Sequence, residues 1–288
     1  MAEVARPPFP RIAVVGLGLI GGSIAIAARR AWPSTYVVAI DREPILEQAL
    51  ARKAIDVAAA DLATVGDVDL IVLAAPVRRN ISLLRRVAEW ASPSAVITDV
   101  GGTKRTIVET ASTLANPITF VGGHPLGGGA RGGFEFATAS LFERRQWIFT
   151  PHDVTGSEVV DRLSAFVIGL GAFPTTMTAA AHDRLMALIS HLPQLTATAL
   201  MEVVGRAVAS DGLRMAGQGL VDTTRLASSP ADVWRDICVT NTDEIRGALD
   251  LLIERLSEMR SDLERAEIID AVFDDAGRWR SDLMKGRD

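Results

Sequence analysis

The 288-residue sequence predicts a doubly wound α/β sheet in its N-terminal part, followed by an all-α C-terminal part. Three observations carry that expectation. Short runs rich in Val and Ile alternate with helical stretches as far as residue 177. A glycine-rich turn joins the first run to the first helix. After residue 178 strand-like runs almost vanish and helical periodicity takes over.

The runs Arg11–Val15, Tyr36–Ile40, Leu70–Ala74, Ala95–Thr98, Thr119–Val121 and Trp147–Phe149 read as parallel strands covered on both faces. Helical patterns lie between them, as in Pro44–Ala54 and Arg79–Trp90, and a last helix–strand unit spans Gly156–Leu170 and Ala172–Met177. Beyond it, helices are expected over Ala179–Ser190, Leu192–Ala209, Ser229–Thr240 and Thr242–Glu264, with the main loop signals in Gly212–Ser228. The expected division is residues 9–177 as one domain and 178–288 as a second, helical one. The second is too small for a large core of its own, which makes it a candidate homodimer interface.

Composition excludes several classes. Hydrophobic residues are 48% and charged residues 23%, a globular balance. A chain this long buries roughly three quarters of its unfolded surface and needs no staple. The single cysteine, Cys238, excludes an internal disulfide and a cysteine-rich zinc site, which suits a reducing cytoplasm. Residues 1–150 carry 16 basic and 13 acidic side chains, a net +3, and residues 151–288 carry 14 and 22, a net −8. Neither part has the basic balance of a nucleic-acid binder. Met1–Pro10 has no apolar segment of the signal-peptide kind. Ile12–Ala28 is uncharged but falls short of the ~20 residues of a membrane helix and is broken by glycines.

Gly16-Leu17-Gly18-Leu19-Ile20-Gly21 fits G-x-G-x-x-G between a strand and a helix, with Asp41 ending the next strand. Gly16 permits the tight turn, Gly18 lets the backbone approach a pyrophosphate, and Gly21 lets helix and strand pack closely. The helix start, through Leu19 and Ile20, offers amides and a positive dipole end to phosphates. Asp41 suits the ribose hydroxyls of NAD and repels a 2′-phosphate, while the adjoining Arg42 could accept one. Ala74-Ala75-Pro76 ends a strand where ligands of open α/β sheets bind. Asp99-Val100-Gly101-Gly102-Thr103-Lys104 places two glycines before a helix, again suited to close approach, with Asp99 as ligand contact or turn cap. Gly122–Gly129 is a glycine-rich run around His124, on the cofactor side of the sheet, a setting for proton transfer.

These residues match a family. The chain resembles the prephenate/arogenate dehydrogenases of tyrosine biosynthesis through Gly16–Ser23, Asp41, Asp99–Lys104, Gly123-His124-Pro125, Ser190-His191-Leu192-Pro193, Asp222-Thr223-Thr224-Arg225 and Trp234-Arg235-Asp236. The motifs occur in family order and span nearly the whole chain. The resemblance implies a Rossmann-type domain, a helical dimerisation domain, NAD as cofactor, and oxidative decarboxylation of a cyclohexadienol dicarboxylate. His124 would take the 4-hydroxyl proton, and Arg225 would clamp a carboxylate bidentately. Ser190, His191, Gln194 and Asp222 would lie near substrate, with Gly101 beside the cofactor and Gly102 and Thr103 beside the reacting hydroxyl. His182 would approach the partner subunit's cleft. Arg235 is a second clamp or an internal partner of Asp232 or Asp236, and Trp234 is core. His152 is a surface residue.

Three departures bear on the substrate. Many members have serine at Gly102, a second histidine at Gln194 and threonine near Gly129. Thr103 could replace the serine hydroxyl if it turns inward. Prephenate, arogenate, both, or an amino-substituted analogue therefore stay open. No regulatory domain of the kind some members append is expected after Asp288. A β-hydroxyacid dehydrogenase would use a helical-domain lysine, and Lys285 is the only one after Lys104. A non-catalytic NAD sensor would have little need of His124 and Arg225.

Overall fold

The computed structural model describes residues 6–115, 118–128 and 131–285. Met1–Ala5, Gly129 and Asp288, each part of an expectation above, lie outside them. Eight strands form one sheet: β1 (Arg11–Val15), β2 (Tyr36–Ile40), β3 (Val57–Ala59), β4 (Leu70–Leu73), β5 (Val96–Asp99), β6 (Thr119–Pro125), β7 (Gln146–Pro151) and β8 (Phe173–Thr176). Their order is β3-β2-β1-β4-β5-β6-β7-β8. β1 lies between β2 and β4, with Val15 opposite both Ile40 and Leu73, so the chain reverses its winding there.

Alternation along β1 sends side chains into two cores. Ile12 and Val14 pack with α1 (Leu19–Ala31), α2 (Glu43–Ala51) and α5 (Ser157–Gly169), through Ile24, Leu46 and Phe166. Ala13 and Val15 pack with α3 (Val77–Val87) and α4 (Arg105–Ser112), through Leu84 and Ile107. Helices thus cover both faces, and the strands read as continuous apolar runs because neither face meets water. The doubly wound expectation holds.

Two details of the sheet differ from the sequence reading. β3 is only three residues of Val and Ala, too short a run to stand out. β7 runs antiparallel to β6, not parallel. A parallel return needs a crossover element over the sheet, and the only regular element between β6 and β7 among the described residues is a 3₁₀ turn, Phe134–Phe136. α5 supplies such a crossover to β8, which is parallel to β7.

After β8 come α6 (Ala179–Met186), a π-helical turn (Ala187–His191), α7 (Leu192–Leu213), α8 (Gln218–Thr224), a 3₁₀ turn (Arg225–Ser228) and α9 (Ala231–Thr240). They belong with the sheet to one compact unit that ends at Thr242. The π turn ends two residues before Pro193, whose missing N–H interrupts the regular ladder there. α8 lies inside the segment read as loop.

A second unit starts at Asp243 and holds nearly all of α10 (Thr242–Asp262) and α11 (Ile269–Lys285), the latter not anticipated. Between them the Asp262 carbonyl accepts from Ala266 N at 2.7 Å, and its carboxylate accepts from Ile268 N at 2.8 Å. Leu251, Leu256, Phe273 and Trp279 are exposed on these helices. Among the described residues no helix is long and apolar enough to cross a membrane.

Candidate active site

The glycine turn is shaped as a cradle. Gly16 adopts φ +102°, a left-handed conformation that favours glycine, and a Cβ there would lie 2.8 Å from the Ala74 carbonyl oxygen. A Cβ on Gly21 would overlap the Gly16 carbonyl oxygen. Gly18, the N-cap of α1, faces open space. The first turn of α1 has no acidic residue and no side-chain cap, so its amides are available to an anion. Asp41 Oδ2 accepts from Leu17 N at 2.6 Å, and Oδ1 accepts from Arg42 N at 2.6 Å. The carboxylate therefore braces the turn while staying partly exposed. The Arg42 side chain points outward, 85% exposed.

The floor of the cradle is the end of β4. Asn80 on α3 is fully buried, donates from Nδ2 to Leu73 O and accepts from Ala75 N, both at 3.0 Å. It holds Ala74-Ala75-Pro76 in place as the strand gives way to α3, whose N-cap is Pro76.

At the end of β6, His124 Nδ1 is 2.8 Å from His182 Nε2. His182 Nδ1 is in turn 2.8 Å from Asp183 Oδ1. The carboxylate can only accept, so His182 carries its proton on Nδ1 and presents a bare Nε2. His124 must then donate from Nδ1, which leaves its own Nε2 without a proton. That atom faces Gly102: a Cβ on Gly102 would lie 3.9 Å from it.

The charges agree with this assignment. Burial, then His182 and Lys104, hold His124 well below the ordinary histidine value. Burial also lowers His182, against the opposing pull of Asp183. Burial alone would raise Asp183, but hydrogen bonds from His182 and from the backbone amides of Arg105 and Lys104 bring it below its usual value. Both imidazoles are thus neutral and the carboxylate is ionised.

The strand that carries His124 is clamped from behind. Lys104 and Asp99, both fully buried, pair at 2.5 Å. Asp99 Oδ1 accepts from Gly123 N at 3.1 Å, and Lys104 Nζ donates to Gly123 O at 2.8 Å. Pairing of β5 with β6 ends at Thr98 and Val121, so these two side chains hold the backbone beyond the ladder. A Cβ on Gly123 would lie 2.5 Å from Asp99 O. Gly122 and Gly123 are thus strand residues in close contact with their neighbours. Asp99 also accepts from Gly101 N at 2.8 Å, the turn cap that was one of its two readings.

Two comparisons decide the family. The family model "Prephenate dehydrogenase, nucleotide-binding domain" matches residues 24–174, and "Prephenate dehydrogenase, dimerization domain" matches residues 178–272. The prephenate dehydrogenase of Bacillus subtilis is 33% identical over 285 residues, covering 94% of this chain and 76% of that protein. The chain belongs to the prephenate dehydrogenase family. The structure of the Aquifex aeolicus prephenate dehydrogenase, in complex with hydroxyphenyl propionate and NAD+, superposes with a TM-score of 0.88 at 26% identity, covering 97% of this chain and 99% of that one. The Synechocystis arogenate dehydrogenase gives 0.80 at 28% identity, with 94% and 99% covered.

Within this prephenate dehydrogenase fold the remaining expected residues are distributed unevenly. His191 is buried at the end of the π turn, 3.4 Å from Asn241 Nδ2 and edge-on to Trp234, with burial lowering its pKa to about 4. Ser190 on the same turn is half-buried. The Thr103 hydroxyl is engaged by Thr240 Oγ1 at 2.7 Å, so it does not turn toward Gly102. Gln194 is buried, and its amide is bonded to Thr198, Leu226 and Ser229. Asp222 is exposed on α8 and accepts from Gln218. Arg225 is exposed at the first position of the 3₁₀ turn, with no side-chain hydrogen bond or ion pair among the described residues. Arg235 pairs with neither Asp232 nor Asp236; the latter accepts from Arg78 N. His152 is exposed, as expected.

Sequence reasoning missed Asp183, Asn80 and Asn241. It also assigned His182 to the cleft of a partner, whereas His182 lies against His124 of its own chain. Asp183 is adjacent to a noted histidine, which was the available signal. Asn241 is fully buried; it accepts from Arg105 Nη2 at 2.8 Å and donates to Asp183 O at 2.8 Å. Nothing in its local sequence marks that role.

Proposed function

We propose that this chain catalyses the NAD-dependent oxidative decarboxylation of prephenate to 4-hydroxyphenylpyruvate. The observation that carries the reading is the His124–His182–Asp183 series, which leaves one unprotonated imidazole nitrogen beside Gly102 at the C-terminal edge of the sheet. The glycine cradle fits a dinucleotide: Gly16, Gly18 and Gly21 with the amides of Leu19 and Ile20 would hold the pyrophosphate, and Asp41 and Arg42 would border the ribose. Ala74, Ala75, Pro76 and Gly101 would line the nicotinamide end. Bound NAD+ supplies the hydride acceptor.

His124 Nε2 takes the proton of the substrate's 4-hydroxyl while ring C4 gives up its hydride. The positive charge that develops on His124 is shared through His182 with Asp183. The ring carboxylate leaves as CO2, and aromatisation makes the reaction irreversible. Arg225, an exposed guanidinium without an internal partner, clamps a substrate carboxylate, and Asp222, Ser190, His191, Gln194, Gly102 and Thr103 shape its surroundings. General-base assistance of this kind is worth roughly 10²–10⁴-fold.

The reading assigns cofactor binding to residues 9–177 and substrate binding and dimerisation to residues 178–288. The switch from strands to helices after Thr176 supports that division. Exposed Leu251, Leu256, Phe273 and Trp279 support a homodimer through the helical part, in a cytoplasmic enzyme. Acceptance of arogenate is the second reading: Gln194 places a neutral, internally bonded amide where a histidine would set a cation against the arogenate ammonium.

The test follows NADH or NADPH formation with prephenate and with arogenate, each with NAD and NADP. Prephenate with NAD is expected to be the best pair. The His124→Asn variant is expected to fold and bind NAD with most turnover lost. No reduction with any pair, or near-normal turnover in that variant, overturns the reading.

A further inference from the structure

Gln194 is one helical turn past His191 on α7, and only 5% of it is exposed. Its amide makes three bonds within the chain. Nε2 donates to Leu226 O at 2.7 Å and to Thr198 Oγ1 at 3.2 Å. Oε1 accepts from Ser229 Oγ at 3.0 Å. Of these partners, Leu226 lies within the 3₁₀ turn Arg225–Ser228 and Ser229 directly follows it. Leu226 O also accepts from Ser229 N at 3.0 Å, so Gln194 ties both sides of one small loop to the rigid body of α7.

We propose that Gln194 is a positioning residue for Arg225: it fixes the 225–229 turn so that the guanidinium is presented to the substrate carboxylate, and it does not itself touch substrate. The proposal rests on the carboxylate-clamp reading of Arg225 above. Both amide protons and one oxygen lone pair are directed at protein groups, which leaves no donor for a ligand. A neutral imidazole at this position has one donor and one acceptor and could not replace all three bonds. Arg225 has no side-chain partner among the described residues, so its direction depends on where its turn holds its backbone. Holding a clamp in its bound arrangement reduces the ordering cost of substrate binding.

The experiment compares Gln194→Met, Arg225→Ala and the double variant by steady-state NADH formation with prephenate and NAD. Methionine keeps the volume and removes the three bonds. Gln194→Met is expected to raise KM roughly five- to tenfold with kcat changed less than about twofold, the signature of lost binding without lost chemistry. In the Arg225→Ala background the same change is expected to alter kcat/KM by less than about twofold, because the group it positions is gone. Thermal melting and NAD binding check that each variant is folded. Should Gln194→Met fail to fold, Ser229→Ala removes one of the three bonds and is expected to give a smaller effect of the same sign and the same non-additivity. Multiplying effects in the double variant, or an unchanged KM in Gln194→Met, overturn this proposal while the Arg225 clamp stands. An unchanged KM in Arg225→Ala overturns the clamp, and this proposal with it.

Discussion

His182 Nε2 lies 2.8 Å from His124 Nδ1, with the two rings crossed at 64°. A direct contact between two neutral imidazoles requires one to donate and the other to accept, and Asp183 decides which. The whole arrangement is therefore read from one carboxylate outward. Its consequence is chemical: the nitrogen of His124 that faces Gly102 is the basic one.

Asp183→Asn tests that order. The amide can present an N–H to His182 Nδ1, which would move the His182 proton to Nε2 and reverse the donor at His124. Turnover should fall on the order of 10²- to 10³-fold with NAD affinity little changed, by analogy with tautomer-holding carboxylates elsewhere. Asp183 also accepts from Lys104 N at 2.7 Å and Arg105 N at 2.9 Å, so a lower melting temperature is expected too. Stopped-flow NADH formation at saturating prephenate measures the chemical step. A variant as fast as the parent would deny Asp183 any part in it.

The buried Asp99–Lys104 pair has an electrostatic consequence that a pH profile can read. Burial is the main reason that His124 resists protonation, with His182 and then the Lys104 ammonium adding to it. A neutral base is active, so kcat/KM should be flat from pH 8 to 6.5 and fall only on further acidification. Lys104→Met removes the cation. That change favours protonated His124, so the acidic limb should move to higher pH. Breaking one side of such a pair costs about 3–5 kcal/mol, and the double variant Asp99→Asn with Lys104→Met separates that loss of stability from the shift. An acidic limb that stays in place in both variants contradicts the electrostatic role.

Much of the cofactor half was legible because its signals are local. Three glycines and an aspartate at fixed spacing state a strand, a turn and a helix, and the observed Gly16, Gly21 and Asp41 contacts follow from that spacing. The proton-transfer group was legible only in its first member. His124 stands in a distinctive motif, whereas His182 and Asp183 reach it from 58 and 59 residues along the chain through the packing of α6 against the end of the sheet. The direction of β7 was unreadable for the same reason. A strand's sequence records burial on its faces and not the path that leads into it.

His191 gives a stability prediction with a definite sign. Its folded pKa is lowered to about 4, mainly by burial, from the ordinary histidine value of 6.5. Between those values the unfolded chain binds a proton that the folded chain refuses. Stability is therefore full above pH 6.5, declines as pH falls toward 4, and levels off below. The loss from this residue alone is about 3 kcal/mol. Melting temperatures recorded from pH 7.5 to 4 should fall less steeply in His191→Gln than in the parent, and parallel curves would assign the decline to other groups.

Gly102 is the position at which the site has room. A Cβ there would meet Ile237 Cδ1 at 3.6 Å and His124 Nε2 at 3.9 Å, both ordinary contacts. Gly102→Ser and Gly102→Ala should therefore fold with stability within about 0.5 kcal/mol of each other. They differ in one hydroxyl beside the basic nitrogen. Thr103 cannot supply that group, because its own hydroxyl is held by Thr240. The serine can hydrogen-bond the reacting 4-hydroxyl of prephenate as it approaches His124. A neutral hydrogen bond of this kind contributes about 1 kcal/mol, so Gly102→Ser should show a kcat/KM for prephenate roughly fivefold above that of Gly102→Ala. The alanine variant controls for the added methyl. Equal kcat/KM values in the two variants would mean that the reacting hydroxyl does not pass beside Gly102, and the bare nitrogen of His124 would then need another approach for its substrate.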